Sequence, residues 1–210
     1  MLALKYYLTH FSRWYSLIQL ARFRIGAVFL DPPVLALNSF LHYENKNMNL
    51  VIMGVCGCGK STIGKLLADE LGARFIEGDS FHPVENVQRM SAGIPLTDAD
   101  RQPWLERLRD ELSAAHAQGS QAVLSCSALK KDYRQTLASS GPLTFVYLQA
   151  ERAEIERRMS LRQNHFMVAT LVTSQFETLQ EPGTDEACVR VSVLQSVPQI
   201  VQEILAKLPR

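Results

Sequence analysis

Apolar side chains fall along this chain in two alternating rhythms. Compact apolar or half-apolar runs occur at residues 50–53, 74–77, 121–125, 143–148 and 189–193, each the length of one buried strand. Between them apolar positions recur at intervals of three and four. Ile63, Leu66, Leu67 and Leu71 form one such face, Leu105, Leu108, Leu112 and Ala115 a second, and Val197, Ile200, Val201, Ile204, Leu205 and Leu208 a third. That spacing predicts amphipathic helices. Further helices are predicted over 84–90, 130–137, 152–162 and 171–179, with Asn164-His165-Phe166-Met167 interrupting the last two. Gly72 reads as a helix C-cap, Thr97 or Asp98 as an N-cap, and Gly119 and Gly141-Pro142 as stops. Strands alternating with helices predict an α/β fold with a parallel sheet covered on both faces. Right-handed crossovers then gather the loops 54–61, 78–83 and 126–131, which all follow strands, along one edge of that sheet.

The first of these loops carries chemistry. Gly54-Val55-Cys56-Gly57-Cys58-Gly59-Lys60-Ser61 fits the pattern G-x-x-x-x-G-K-[ST] and sits between a predicted strand and a predicted helix, the context the motif requires. Glycines let successive backbone N–H groups turn toward one phosphate chain, and the first turn of the helix, with Thr62, adds unpaired amides and a positive dipole end. Lys60 is placed to reach the outer phosphates, and Ser61 offers a hydroxyl to a phosphate-bound Mg²⁺. The expected ligand is a nucleoside triphosphate.

Composition narrows the partners. Of 210 residues, 47% are hydrophobic and 20% charged, which suits a globular domain with length to spare. A net charge of +1 provides no broad field for nucleic acid. Four cysteines, Cys56, Cys58, Cys126 and Cys188, lack the pairing of a zinc site or a disulfide framework, so a reducing cytoplasm is expected. Cys56 and Cys58 lie inside the phosphate loop, where small side chains are needed; packing accounts for them, and the sharper alternative is that nearby amides and Lys60 favour their thiolates. Residues 1–47 contain five basic residues and only Asp31 and Glu44 as acids, with no uncharged run long enough to span a membrane. They read as a poorly ordered extension or a start-site artefact ahead of Met48, with residues 48–210 forming the domain.

Other candidates follow from position. Asp79, after the second predicted strand, is suited to accept or orient the proton of an attacking hydroxyl. Arg101, Lys130, Lys131 and Arg134 are cations on or near the same edge, and Arg157, Arg158 and Arg162 lead into the helix interruption, as a closing lid over about 158–180 would require.

Several blocks together resemble the gluconokinase family. They are the loop 54–61, Gly78-Asp79-Ser80-Phe81-His82-Pro83, Gly93-Ile94-Pro95-Leu96-Thr97-Asp98, Asp100-Arg101-Gln102-Pro103-Trp104-Leu105, Cys126-Ser127-Ala128-Leu129-Lys130-Lys131-Asp132-Tyr133-Arg134, and His165-Phe166-Met167 with Ser174-Gln175-Phe176-Glu177-Thr178-Leu179. The resemblance spans residues 48 to about 195. It implies ATP-dependent phosphorylation of D-gluconate to 6-phospho-D-gluconate with Mg²⁺, a three-layer P-loop kinase fold with strand order 2-3-1-4-5, a lid, and a cytoplasmic homodimer. It also implies Lys60 and Ser61 at phosphate and metal, Asp79 and His82 at the acceptor, and Arg158 and Arg162 as lid arginines. Arg101 and Lys130 are further acceptor-side candidates. For the cation that would grip a substrate carboxylate, Arg101, Arg89 and Arg134 stay open. Cys56 and Cys58 stand where serines are usual, Glu77 where Asp is usual, and the third strand ends without an Asp for the metal. The rivals are a kinase for shikimate or a nucleotide, and a nucleotide-dependent switch protein.

Overall fold

The structure, a computed structural model, describes residues 48–161 and 165–209. The expectations for residues 1–47 and for Arg162 lie outside the described residues. Five strands, β1 (Asn49–Met53), β2 (Arg74–Glu77), β3 (Ala122–Ser125), β4 (Leu143–Gln149) and β5 (Cys188–Ser192), form one sheet in the order β2-β3-β1-β4-β5. Every pairing is parallel, with Val51 beside Leu124 on one side and Phe145 on the other. The helices are α1 (Lys60–Leu71), α2 (Val84–Ser91), α3 (Asp98–Ala117), α4 (Lys131–Ala138), α5 (Arg152–Ser160), α6 (His165–Thr178) and α7 (Val197–Lys207).

The alternation of side chains along a strand explains the three layers. On β1, Leu50 and Ile52 join one core with Ile63, Leu67, Ile155, Ile200 and Ile204, whereas Val51 and Met53 join another with Trp104, Leu105, Leu108 and Leu112. On β4, Val146 and Leu148 face the first core, and Phe145 and Tyr147 the second. A strand buried on both faces cannot show polar alternation, which is why β1 reads as a solid apolar run. Each such fully buried side chain contributes about 1.5–3 kcal/mol of transfer free energy. At the far end of the sheet Asn49 is buried but satisfied: its Nδ2 donates to the Leu112 carbonyl at 2.9 Å, and its Oδ1 accepts from the Ala122 N–H at 2.9 Å.

Helix ends follow the expected chemistry. Gly72 closes α1 in the left-handed region (φ 61°), and Thr97 opens α3 with a capping box to Asp100. One expectation needs correcting. The pattern break at 164–167 and a helix resuming at Leu171 are replaced by α6 beginning at His165. No Gly or Pro lies between Arg162 and Gln180, so polar residues at the break weaken the apolar stripe without stopping the backbone.

Candidate active site

The end of β1 turns into the loop through Gly54, Gly57 and Gly59, whose φ angles are 140°, 76° and 104°. Any other residue would be strained there. A Cβ at Gly57 would lie 2.8 Å from Met159 Sδ on α5, so the loop is packed tightly from below. A Cβ at Gly59 would meet nothing within 4 Å, so the mouth of the cradle is open. Gly59 caps α1 without a side-chain hydrogen bond, and the first turn carries no acid. The positive end of α1 is therefore left for an anion, a geometry that fits a polyphosphate. Lys60 Nζ reaches back along the loop and donates to the Val55 carbonyl at 3.0 Å. Ser61 and Thr62 follow it in the first turn of α1.

At Cys58 packing, not reactivity, is what the structure favours. Cys58 is buried, and burial raises its thiol pKa although Lys60 pulls the other way. Cys126, fully buried at the end of β3, is pushed up to about 12 by the same cause. Loss of water outweighs the nearby charge, so both sulfurs stay protonated.

The turn after the second strand carries Asp79 and, just beyond it, His82. Gly78–Phe81 forms a 3₁₀ turn directly after β2 and places Asp79 in solvent. Gly78 is required by contact: a Cβ there would lie 2.3 Å from the Ser125 carbonyl oxygen of β3. Trp104 of α3, buried, donates its indole N–H to the Gly78 carbonyl at 2.8 Å and stacks on His82 with ring centroids 4.2 Å apart. Trp104 thus fixes both ends of the turn that carries Asp79, a positioning role that its apolar character alone does not announce. Because β1, β2 and β3 run parallel, the loops 54–61, 78–83 and 126–131 that follow them leave one edge of the sheet, and the Gly54 N–H donates to the Ser127 carbonyl at 3.3 Å.

His82 is held neutral. Burial lowers its pKa, Asp79 opposes that, and Arg101 adds to it. Its Nδ1 is buried without a partner among the described residues. A group whose folded pKa is depressed adds stability above the unfolded value near 6.5 and loses it as pH falls through the folded value. An NMR titration of the His82 ring is expected to give a midpoint below 6.5; a midpoint above it would mean that Asp79, not burial, governs the ring.

The cations separate into bound and available. Arg134 is 1% exposed; its Nε and Nη2 pair with Glu186 at 2.5 and 2.9 Å, and its Nη1 donates to the carbonyls of Ala128, Leu129 and Gln180. It is a structural clamp, which removes it from the carboxylate candidates. Lys130 Nζ sits between both oxygens of Asp98 at 2.7 and 2.6 Å, and the Tyr133 hydroxyl donates to the same carboxylate, so the Lys130 charge is already matched. Lys130 first, then Tyr133, lowers the Asp98 pKa. Arg89 Nη1 lies 3.6 Å from Asp100, with its Nε buried and unpartnered among the described residues. Arg101 is half-buried on α3, and its guanidinium donates to no described acceptor. Arg158 Nε bonds Glu154 and its Nη2 bonds the Val193 carbonyl, both at 2.6 Å; its charge still reaches Cys58. Glu154 is drawn down to about 2 by Arg157, then Arg158. One contact was not foreseen: the Cys56 backbone N–H donates to Gln175 Oε1 of α6 at 2.6 Å. Gln175 stands inside the Ser174–Leu179 block of the family resemblance, the one signal in the sequence that singles it out.

An open amide cradle at the head of a helix, on a five-stranded parallel sheet ordered 2-3-1-4-5, defines a P-loop kinase. A family model described as shikimate kinase matches residues 56–209. A gluconokinase of Gluconobacter oxydans is 45% identical over 157 residues, covering 74% of this chain and 88% of that relative. The thermoresistant gluconokinase of Escherichia coli is 44% identical over 142 residues, covering 67% and 81%. The crystal structure of a gluconokinase from Sinorhizobium meliloti superposes with a TM-score of 0.71 at 44% identity, covering 77% of this chain and 91% of the other. The chain belongs to the gluconokinase family.

Proposed function

We infer that this protein transfers the terminal phosphoryl group of ATP to D-gluconate, forming 6-phospho-D-gluconate and ADP. The observation that carries the reading is the sheet edge at which the parallel strands β1, β2 and β3 end and the loops bearing Lys60, Asp79 and Cys126 begin, in a chain 45% identical to a gluconokinase. The terminal hydroxyl oxygen of the acceptor forms the new bond to the γ-phosphorus as the bond to ADP breaks. Asp79 orients that hydroxyl and takes its proton. The loop amides of 54–62 and Lys60 hold the phosphates and offset the charge that builds on them. Arg158 and Arg162 stand as the lid arginines of this proposal. Arg101 grips the substrate carboxylate, because among the described residues its guanidinium has neither a hydrogen bond nor an ion pair, whereas Arg134 is bound to Glu186 and Arg89 lies 3.6 Å from Asp100. His82, neutral and braced on Trp104, offers its ring nitrogen to an acceptor hydroxyl, and Lys130 acts through Asp98 by holding the start of α3.

Mg²⁺ bound to the phosphates supplies further charge neutralisation. Ser61 is the hard oxygen donor suited to it at the loop. Among the described residues no group of three or more His, Cys, Asp or Glu side chains could hold a metal alone, which fits an ion carried largely by phosphate and water. A cytoplasmic homodimer belongs to the same proposal, and sedimentation as a monomer would remove its second half. Among the described residues no helix is long and apolar enough to cross a membrane.

The match to the shikimate kinase model favours one second reading, phosphorylation of shikimate. A coupled ADP-release assay across gluconate, other aldonates, shikimate and nucleoside monophosphates separates the two. Gluconate is expected to be turned over well and shikimate not at all; the reverse would overturn the reading. Asp79→Asn is expected to lower kcat by about a hundredfold or more with the melting temperature kept. Near-normal turnover would remove Asp79 from the mechanism.

A further inference from the structure

The Val55–Cys56 peptide unit is held from both edges. Lys60 Nζ occupies its carbonyl oxygen at 3.0 Å, and Gln175 Oε1 occupies its N–H at 2.6 Å. Both partners come from outside that peptide, and one of them stands 119 residues away. The Cys56 N–H belongs to the glycine-rich loop read above as a triphosphate site, and on that reading the carboxamide oxygen of Gln175 stands where an anionic oxygen would otherwise sit. It is a neutral stand-in for a phosphoryl oxygen.

The helix bearing Gln175 is well fastened. Val172 is buried in the core, Phe176 and Leu179 pack against it, and the Arg152 guanidinium donates to the Thr173 hydroxyl at 2.5 Å. Beyond its end, the Gln180 N–H donates to the Leu129 carbonyl at 2.9 Å. The exchange at Cys56 therefore needs only side-chain torsions of Gln175.

A carboxamide has an acceptor and a donor end on one plane. A phosphoryl oxygen that takes the Cys56 N–H displaces Oε1, and a half-turn of the same carboxamide brings its N–H₂ group toward that oxygen. We propose that Gln175 binds the transferred phosphoryl group directly: it covers the Cys56 amide in the empty loop and donates to the terminal phosphate once a triphosphate is bound. The inference rests on the reading of the loop as a triphosphate site. It gives Gln175 the task of telling a triphosphate from a diphosphate, since the inner phosphates are held by the loop and helix amides.

The test measures equilibrium binding of the β,γ-imido analogue of ATP and of ADP, each with Mg²⁺, to the full chain without gluconate. In Gln175→Glu the side chain keeps its size and its acceptor but loses its donor and gains a charge. The ratio of analogue to ADP affinity is expected to fall by about tenfold to a hundredfold, with ADP affinity changed far less. In Gln175→Leu both the cover and the donor are lost. The ratio is expected to fall by about threefold, because a hydrogen bond to a charged oxygen outweighs the neutral one it replaces. A Gln175 that only props the loop would shift the melting temperature and both nucleotides together, and a wild-type ratio in both variants overturns the proposal. Failure of the unaltered protein to bind either nucleotide overturns the triphosphate reading itself.

Discussion

Lys60→Met is expected to lower kcat by about three orders of magnitude while leaving the fold intact. The charge on the terminal phosphate spreads over three oxygens in the transition state, and a preorganised cation beside them contributes on the order of 4 kcal/mol. In the fold the same side chain makes one hydrogen bond among the described residues, to the Val55 carbonyl at 3.0 Å. Losing that bond costs about 1 kcal/mol. The imbalance between the two effects makes the variant diagnostic. Lys60→Arg is expected to restore little, since a planar fork cannot occupy the place of a compact ammonium. Steady-state kinetics with a thermal melt on the same preparation check both halves. A kcat within tenfold of the unaltered protein would separate Lys60 from the transferred phosphate.

How far the sequence led depends on the distance over which each feature is decided. The loop 54–61 is local: glycine spacing, a preceding apolar strand and a following helix are enough, and the open amide end of α1 bears that out. β1 and β4 are legible because their buried positions leave no room for polar residues except where Asn49 and Thr144 find partners. The start of α6 was missed because polar residues weaken an apolar stripe without breaking a helix. The thiolate alternative fails at Cys58: Lys60 is visible in the sequence beside that thiol, whereas the burial that outweighs it is a property of the packed core. Among the cations, Arg101 and Arg134 look equally suited in one dimension. What separates them is Glu186, 52 residues beyond Arg134 and brought to it only by the turn before β5. Gln175 and Cys56 are 119 residues apart in the chain, so no local rule pairs them.

Arg134→Met is expected to be the most destabilising single change at this edge. Arg134 fills its buried site with donors that each have an acceptor: a bidentate pair to Glu186, and Nη1 shared among three carbonyls. Two of those carbonyls belong to Ala128, held at φ 42° in the left-handed region, and to Leu129 after it. The guanidinium therefore sustains a strained turn. Methionine matches the volume but strands a carboxylate that is 11% exposed together with the bared carbonyls, a loss of about 3–5 kcal/mol. For a domain of this size that corresponds to a fall in Tm of roughly 6–20 °C. Glu186→Gln in the same chain should recover part of it, because the unpaired charge is then gone. Arg134 also holds the Glu186 pKa below its usual range, so the pair's contribution is present above the ordinary Glu value and fades as pH falls through the folded one. In Arg134→Met that acid-limb dependence should flatten. The damage should reach the phosphate loop as well, since the Ser127 carbonyl of the same turn accepts the Gly54 N–H at 3.3 Å. Denaturant unfolding within about 1 kcal/mol of the unaltered protein would show that the clamp is dispensable and return Arg134 to the candidates for the substrate carboxylate.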